Sequence, residues 1–124
     1  MSEKDLVTQE KSGTITFANE VLEIIVGVAA CDIPGVAGMS GGLKDGIVEM
    51  LGKKNLGKGI KLSFQDDVIS IDCYVVALFG YSVIEIAKNV QEKVTSAVES
   101  MTGRTVRSVN VEICGITLPK DSKK

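Results

Sequence analysis

The chain has 124 residues, 44% of them apolar, a mean hydropathy of +0.22 and a formal net charge of −2. This length fits a single domain, and the apolar content excludes global disorder, which requires low hydropathy and high net charge. The weak negative charge and the supply of two Tyr, three Phe and no Trp argue against nucleic-acid partners, because they provide neither a basic field nor a stacking surface.

The first predicted strand marks the start of the domain. Residues 1–12 are polar and predict a flexible N-terminal segment, and residues 119–124 predict a flexible, Lys-rich tail. Residues 13–118 form the predicted single domain. Within residues 13–17, apolar and β-branched side chains alternate as they do in a strand.

The next segment predicts a helix that is apolar on two faces. Asn19 is the predicted N-cap, and only Glu20 and Glu23 interrupt the apolar residues 20–31 before Pro34 ends the helix. Such a helix must be covered on both faces, by the sheet on one side and by another helix or another chain on the other. This is the first indication of self-association.

Eight of the 13 glycines lie between residues 35 and 59. This segment predicts a short strand at residues 36–39, then a short amphipathic helix from the spacing of Leu43, Ile47, Met50 and Leu51. A Lys-rich loop follows. The candidate interaction loop of the protein consists of Gly35, Gly38, Gly41, Gly42, Lys53, Lys54 and Lys58.

Residues 60–79 predict a β-hairpin that turns at residues 65–67. In its second arm, one face carries the core residues Ile69, Ile71, Cys73, Val75, Ala77 and Phe79. The opposite face becomes apolar toward the end of the strand. Its candidate self-association surface consists of Tyr74, Val76 and Leu78.

A long helix and a last strand complete the domain. Ser82 is the predicted N-cap and Gly103 the predicted end of the helix, whose apolar stripe consists of Val83, Ala87, Val90, Val94, Ala97, Val98 and Met101. The alternation of Val109, Val111 and Ile113 predicts the strand. This order of elements predicts an α+β fold, a two-layer sandwich with a mixed β-sheet and two main helices, similar to a split βαβ plan.

No catalytic, cofactor-binding or metal-binding residues are predicted. The absence of His removes the commonest general base and the commonest metal ligand. The interval from Gly46 to Gly52 is one residue too long for a P-loop, and no hydroxyl residue follows its lysine. Asp66 and Asp67 lie at a predicted turn without a third ligand. The chain is therefore predicted not to be an enzyme.

The cysteines and the apolar runs predict a cytoplasmic location. Cys31, Cys73 and Cys114 are odd in number and lack C-x-x-C spacing, which is typical of reduced core thiols. The longest apolar runs, residues 24–31 and 73–80, are far shorter than the roughly 18 residues that span a bilayer. Membrane association is therefore expected through a protein partner, without direct insertion.

Two alternative functions stay open. The repeats Gly35-x-x-Gly38 and Gly38-x-x-Gly41 match the G-x-x-G backbone clamp of KH domains, which favours a nucleic-acid binder, although basic neighbours are lacking. The other alternative is a regulatory adaptor or small-ligand-binding partner of a neighbouring enzyme, with the candidate interaction loop as its binding site.

Three stretches carry a family resemblance: GTITFANEVLEIIVGVAACDIPGVAGMSGG, LGKKNLGKGIKL and RSVNVEICGITL. Their most specific pieces are Glu20-Val21-Leu22, Pro34-Gly35-Val36 and Val109-Asn110-Val111. With these pieces, nearly all of residues 13–118 resembles the alkaline shock protein family, also called the Gls general-stress or envelope-stress family of Gram-positive bacteria.

The resemblance implies a small cytoplasmic protein without known catalysis or cofactor. It also implies a role in stress response and cell-envelope homeostasis, assembly into a homo-oligomer and, for some members, a membrane-anchored protein partner. The family supplies no catalytic residue that could be carried over to this sequence.

Overall fold

The computed structural model describes residues 5–10, 12–44, 47–51, 59–66 and 68–118, and these residues form seven strands and two helices. In chain order they are β1 (Asp5–Glu10), β2 (Gly13–Ala18), α1 (Asn19–Cys31), β3 (Val36–Lys44), β4 (Ile47–Leu51), β5 (Ile60–Gln65), β6 (Val68–Leu78), α2 (Val83–Thr102) and β7 (Thr105–Thr117).

The main sheet is built around β6. β7 runs parallel along one edge of β6, from Val68 opposite Thr105 to Leu78 opposite Thr117. On the other edge, β5 pairs antiparallel with the first half of β6 and β3 pairs antiparallel with the second half. β4 then extends the sheet beyond β3. The α+β class and the mixed sheet are thus confirmed.

Gly59 lies at the junction where β5 begins beside β3. Its carbonyl accepts a hydrogen bond of 2.8 Å from the Tyr74 N–H of β6. Its φ of +76° is in the left-handed region, and a Cβ placed on it would lie 2.7 Å from the Ser40 carbonyl oxygen. Glycine is therefore required here both for the backbone conformation and for the close approach of β3.

The predicted helix over residues 43–51 is wrong. β3 continues to Lys44 and pairs antiparallel with β4, from Lys44 opposite Ile47 to Met39 opposite Leu51, with an irregularity between Ser40 and Gly42. Each interior glycine costs a helix about 1 kcal/mol relative to alanine. A short apolar run also fits a strand, and here backbone pairing with a neighbouring strand decides the outcome.

The N-terminal segment, predicted to be flexible, contains a strand, because Asp5–Glu10 forms β1. This strand pairs antiparallel with β2, from Asp5 opposite Ala18 to Glu10 opposite Gly13, in a separate two-stranded sheet. The pairing supplies hydrogen-bond partners to one edge of β2, and Val7 and Thr8 are β-branched residues that suit a strand.

Both helices begin and end close to their predicted bounds, although one cap differs. Ala18 is the N-cap of α1 without a side-chain bond, whereas Asn19 is already helical and its buried Oδ1 has no hydrogen-bond partner among the described residues. For α2 the predicted caps are confirmed. Ser82 Oγ accepts a bond of 3.3 Å from the Glu85 N–H, and Gly103 ends the helix with φ +72°.

The hydrophobic core joins both helices to one face of β6. That face consists of Ile69, Ile71, Cys73, Val75 and Ala77, as predicted. From the helices, the core receives Leu22, Val26, Ala29, Ala30, Ile86, Val90, Val94 and Val98. The buried stripe of α2 thus runs from Ile86 to Thr102, so that Val83 and Met101, predicted as part of it, are exposed instead.

Candidate functional site

Two glycines of the candidate interaction loop, Gly35 and Gly38, are buried in the fold. Gly35 has a φ of +97°, and a Cβ on it would lie 2.8 Å from Ile86 Cδ1. Its carbonyl accepts a bond of 2.7 Å from the Leu78 N–H, which fastens the turn after α1 to the end of β6. Gly38 is buried in β3 opposite Val76. Close packing against Ile86 and the positive φ explain the glycine at position 35.

The other residues of the candidate interaction loop lie either in β3 or outside the described residues. Gly41 and Gly42 lie within β3, whereas Lys53, Lys54 and Lys58 lie outside the described residues. The two G-x-x-G repeats therefore run from the turn after α1 into β3. A KH clamp lies between helices, so the geometry of these repeats does not support the KH-like alternative.

The candidate self-association surface on β6 is less exposed than its sequence pattern indicates. Tyr74 and Leu78 are half-buried, and Val76 is only 4% exposed within the chain itself. The Lys61 ammonium lies 5.7 Å from the centre of the Tyr74 ring. Assembly through this surface stays a prediction, and Tyr74 and Leu78 are the positions at which it can be tested.

The sheet face around Tyr74 is polar rather than open and apolar. Asn110 Nδ2 donates a bond of 2.8 Å to Asp72 Oδ1, across the β6–β7 pair. Asp72, Asn110 and Glu112 line a shallow depression of about 330 Å³ on this face. Solvent can cover such a surface without a partner.

An apolar surface is exposed instead on the outer side of α1. Val21, Ile24 and Val28 are 45%, 48% and 50% exposed, whereas Leu22 and Val26, on the opposite side, are fully buried. The prediction that α1 is apolar on two faces is therefore confirmed. One face is covered by the core, and the other lies on the surface.

This exposed face forms one wall of a groove between the two helices, which we call the helix groove. It has a volume of about 510 Å³ and is lined by Ile24, Ile25, Val28, Ala29, Asp32, Lys93, Ala97 and Met101. Its two charged lining residues, Asp32 and Lys93, form an ion pair of 3.2 Å between exposed side chains. The groove is therefore apolar with one charged end.

A second exposed apolar cluster lies at one end of the sheet, and sequence reasoning missed it. The alternation in β6 predicts that Phe79 faces the core, but Phe79 is 63% exposed, because β6 ends one residue before it. The Phe79 N–H donates a bond of 2.8 Å to the Thr117 carbonyl, which places the end of β7 beside it. The cluster, which we call the apolar end, consists of Phe79, Tyr81, Val83, Ile84, Ile116 and Leu118.

No constellation of catalytic type emerges in the part of the chain that the structure describes. Among these residues, no group of three or more His, Cys, Asp or Glu side chains is placed to hold a metal ion. No helix formed by the described residues is long and apolar enough to cross a membrane. The described residues do present two exposed apolar surfaces, the outer face of α1 and the apolar end.

Cys73 is expected to resist modification in the folded protein. Burial in the core, with a smaller effect of the Asp72 carboxylate, raises the pKa of its thiol from 9.0 to about 12. A polar disulfide reagent at pH 8 should label Cys73 only after urea unfolding, whereas the half-buried Cys31 and Cys114 should react faster. Mass spectrometry of timed samples measures this order, and rapid native labelling of Cys73 would contradict it.

The same shift makes stability depend on pH in a defined direction. Because the folded-state pKa is raised, the contribution of the neutral Cys73 thiol is fully present below about pH 9 and is lost as the pH rises toward 12. Between these values the free energy of unfolding should fall by about 1.4 kcal/mol per pH unit. Cys73→Ala should be less stable at pH 8 but should lack this part of the slope.

The chain matches a described protein family over most of its length. Residues 7–118 match the alkaline shock protein 23 family, which is described as having a cell envelope-related function. The match covers both helices and the whole main sheet. It agrees with the resemblance to the alkaline shock and Gls proteins, which is thereby confirmed.

Individual relatives come from Bacillus and Streptococcus. YqhY of Bacillus subtilis is 42% identical over 104 residues, covering 84% of this chain and 77% of the relative, and YloU of the same organism is 37% identical over 108 residues, covering 86% and 90%. A Streptococcus pyogenes protein named stress response regulator gls24 homolog is 30% identical over 117 residues, covering 91% of this chain and 63% of the relative. The family match over residues 7–118 and the similarity to these relatives show that the chain belongs to the alkaline shock protein 23 family, which is described as having a cell envelope-related function.

Proposed function

We propose that this protein is a non-catalytic, self-associating cytoplasmic protein that acts in the envelope stress response and in cell-envelope homeostasis. Membership of the alkaline shock protein 23 family supports the envelope role, and the name of the Streptococcus pyogenes relative supports the link to stress. In this proposal, a membrane-anchored protein partner brings the chain to the envelope.

The observation that carries self-association is the exposed apolar face of α1. Val21, Ile24 and Val28 lie side by side on one helix, each about half exposed, beside the apolar α2 residues of the helix groove. Completing the burial of a half-exposed Val or Ile contributes roughly 1 kcal/mol before the association entropy is subtracted. A second copy of this chain is the simplest partner that could bury such a surface, because homo-oligomers are the commonest assemblies.

The non-catalytic part of the proposal has chemical support. The chain contains no His, and its buried Cys73 has a thiol pKa raised far from the range of a nucleophile. The exposed residues of the helix groove are apolar apart from one ion pair. Such a surface can bind another apolar surface, and its charged lining residues, Asp32 and Lys93, are exposed to solvent and paired with each other.

The experiment is size-exclusion chromatography with light scattering, at low and high micromolar concentrations of the purified chain. We expect a mass above 13.1 kDa that rises with concentration, together with an ultraviolet spectrum free of nucleic acid. A monomer at every concentration would refute self-association and favour the regulatory adaptor. Copurifying nucleic acid would instead revive the nucleic-acid-binding alternative.

A further inference from the structure

We infer that α1 of one copy packs antiparallel against α1 of a second copy, with each helix seated in the helix groove of the other. The inference rests on the proposed self-association and names the surface and the geometry that produce it. The occupant of the groove is thus a second copy of this chain, related to the first by a two-fold axis.

The spacing of the exposed apolar residues favours a helix as the occupant. Val21, Ile24, Val28 and Cys31 follow one another at intervals of three, four and three residues, the spacing of the contact seam between two packed helices. The first three are about half exposed and Cys31 is half-buried. The seam runs along all of α1, whose 13 residues are about 20 Å long.

Self-complementarity favours a second copy over an unrelated helix. Ile24 and Val28 both form a wall of the helix groove and project as part of the seam of α1. A two-fold axis near the middle of α1 places the seam of each copy against the groove of the other, with Ala97 and Met101 of α2 as its far wall. One apolar surface thereby covers its own equivalent, as an isologous interface requires.

The charges favour the antiparallel direction. The first turn of α1 carries the exposed Glu20. At the opposite end of α1, Asp32 forms an ion pair with Lys93 of α2. In an antiparallel pair, Glu20 of the second copy lies near the neutral Asp32–Lys93 ion pair, and the two helix dipoles are opposed. A parallel pair would instead place the two Glu20 carboxylates together.

The first test compares two matched substitutions, Ile24→Lys and Ile84→Lys. Both remove an exposed isoleucine from a helix and add the same charge, but Ile24 lines the helix groove whereas Ile84, 65% exposed, belongs to the apolar end. We expect Ile24→Lys to raise the dissociation constant of the assembly about 30-fold or more, because a charge would be buried at the centre of the interface. Ile84→Lys should leave it within about threefold. Sedimentation velocity over a concentration series measures both.

The second test fixes the direction of the helices by cross-linking. In the antiparallel pair, Val21 of one copy lies opposite Cys31 of the other, so Val21→Cys should form a disulfide-linked dimer under mild oxidation. Within one chain these residues are about 15 Å apart along the helix, too far for a disulfide. Adding Cys31→Ser should abolish the dimer, and peptide mapping should identify the 21–31 bond.

The outcomes separate this inference from the proposed function. Dissociation by Ile24→Lys alone, together with the 21–31 cross-link, supports it. A wild-type assembly that responds equally to both lysine variants would overturn it and leave self-association to another surface, whereas a monomeric wild type would refute the proposed self-association itself. A cross-link joining the two introduced cysteines would reject the antiparallel direction. If Ile24→Lys fails to fold, the cross-link in the folded Val21→Cys variant decides.

Discussion

Replacing Gly59 with Ala is expected to lower the free energy of unfolding by about 3 kcal/mol. The new Cβ would lie 2.7 Å from the Ser40 carbonyl oxygen and 3.1 Å from that of Tyr74. Both oxygens belong to strands of the main sheet and cannot withdraw without disturbing backbone pairing between β3, β5 and β6. The left-handed backbone at φ +76° adds its own penalty for a residue with a Cβ.

The matched control for this substitution is Gly103→Ala, at the end of α2. Its φ of +72° is nearly the same, but no atom lies within 4 Å of the position of a new Cβ. Gly103→Ala should therefore cost only about 1 kcal/mol, the backbone penalty without the steric one. Urea unfolding followed by circular dichroism measures both losses. Equal losses would show that the close approach of β3 at Gly59 has no energetic consequence.

Val76→Asp is expected to unfold the chain or to lower its stability by at least about 4 kcal/mol. Val76 is 4% exposed, so the new carboxylate would be buried, and a buried charge without a partner is among the most costly substitutions. The loss is comparable to the roughly 5–15 kcal/mol that stabilise a typical domain. Val76, although predicted as a self-association residue, therefore cannot serve as a selective test of assembly.

Val28→Asp makes the same chemical change on the outer face of α1. Because Val28 is 50% exposed in the single chain, the carboxylate of the unassembled variant stays in water, and its cost to the stability of the monomer should be about 1 kcal/mol or less, including the unfavourable charge near the helix C-terminus. Far-ultraviolet circular dichroism and urea unfolding should therefore report a folded Val28→Asp and an unfolded or much weakened Val76→Asp. Similar stabilities would contradict the assignment of Val76 to the interior.

Part of the candidate site could be predicted from the sequence. The apolar residues of α1 are so numerous that they surround the helix, and this composition alone predicts a second face in need of a cover. The opposite wall of the helix groove could not be predicted, because Ala97 and Met101 fit the helical period of the α2 core stripe. Ala97 is half-buried and Met101 is 62% exposed, and the position of both depends on how far α2 is rotated against the sheet by its packing with α1 and β7.

The errors in the fold have a common physical origin in strand pairing. Residues 43–51 have a hydrophobic spacing that a helix and a strand can both accommodate, and β1 is polar enough to pass for an unstructured terminus. In both segments the strand forms by hydrogen bonding to a partner strand, with β3 for β4 and β2 for β1. Backbone hydrogen bonds leave little trace in the side-chain pattern of a short segment.

The two helices, the β5–β6 hairpin and the last strand could be predicted from local sequence, because the hydrophobic period, the Ser82 cap and the left-handed Gly103 act over a few neighbouring residues. Which apolar face of α1 is buried could not be predicted in this way. Leu22 and Val26 on one face and Val21 and Val28 on the other are chemically equivalent, yet the first pair is buried and the second is half exposed. Burial depends on which face meets the sheet and α2, which long-range packing decides and local sequence does not encode.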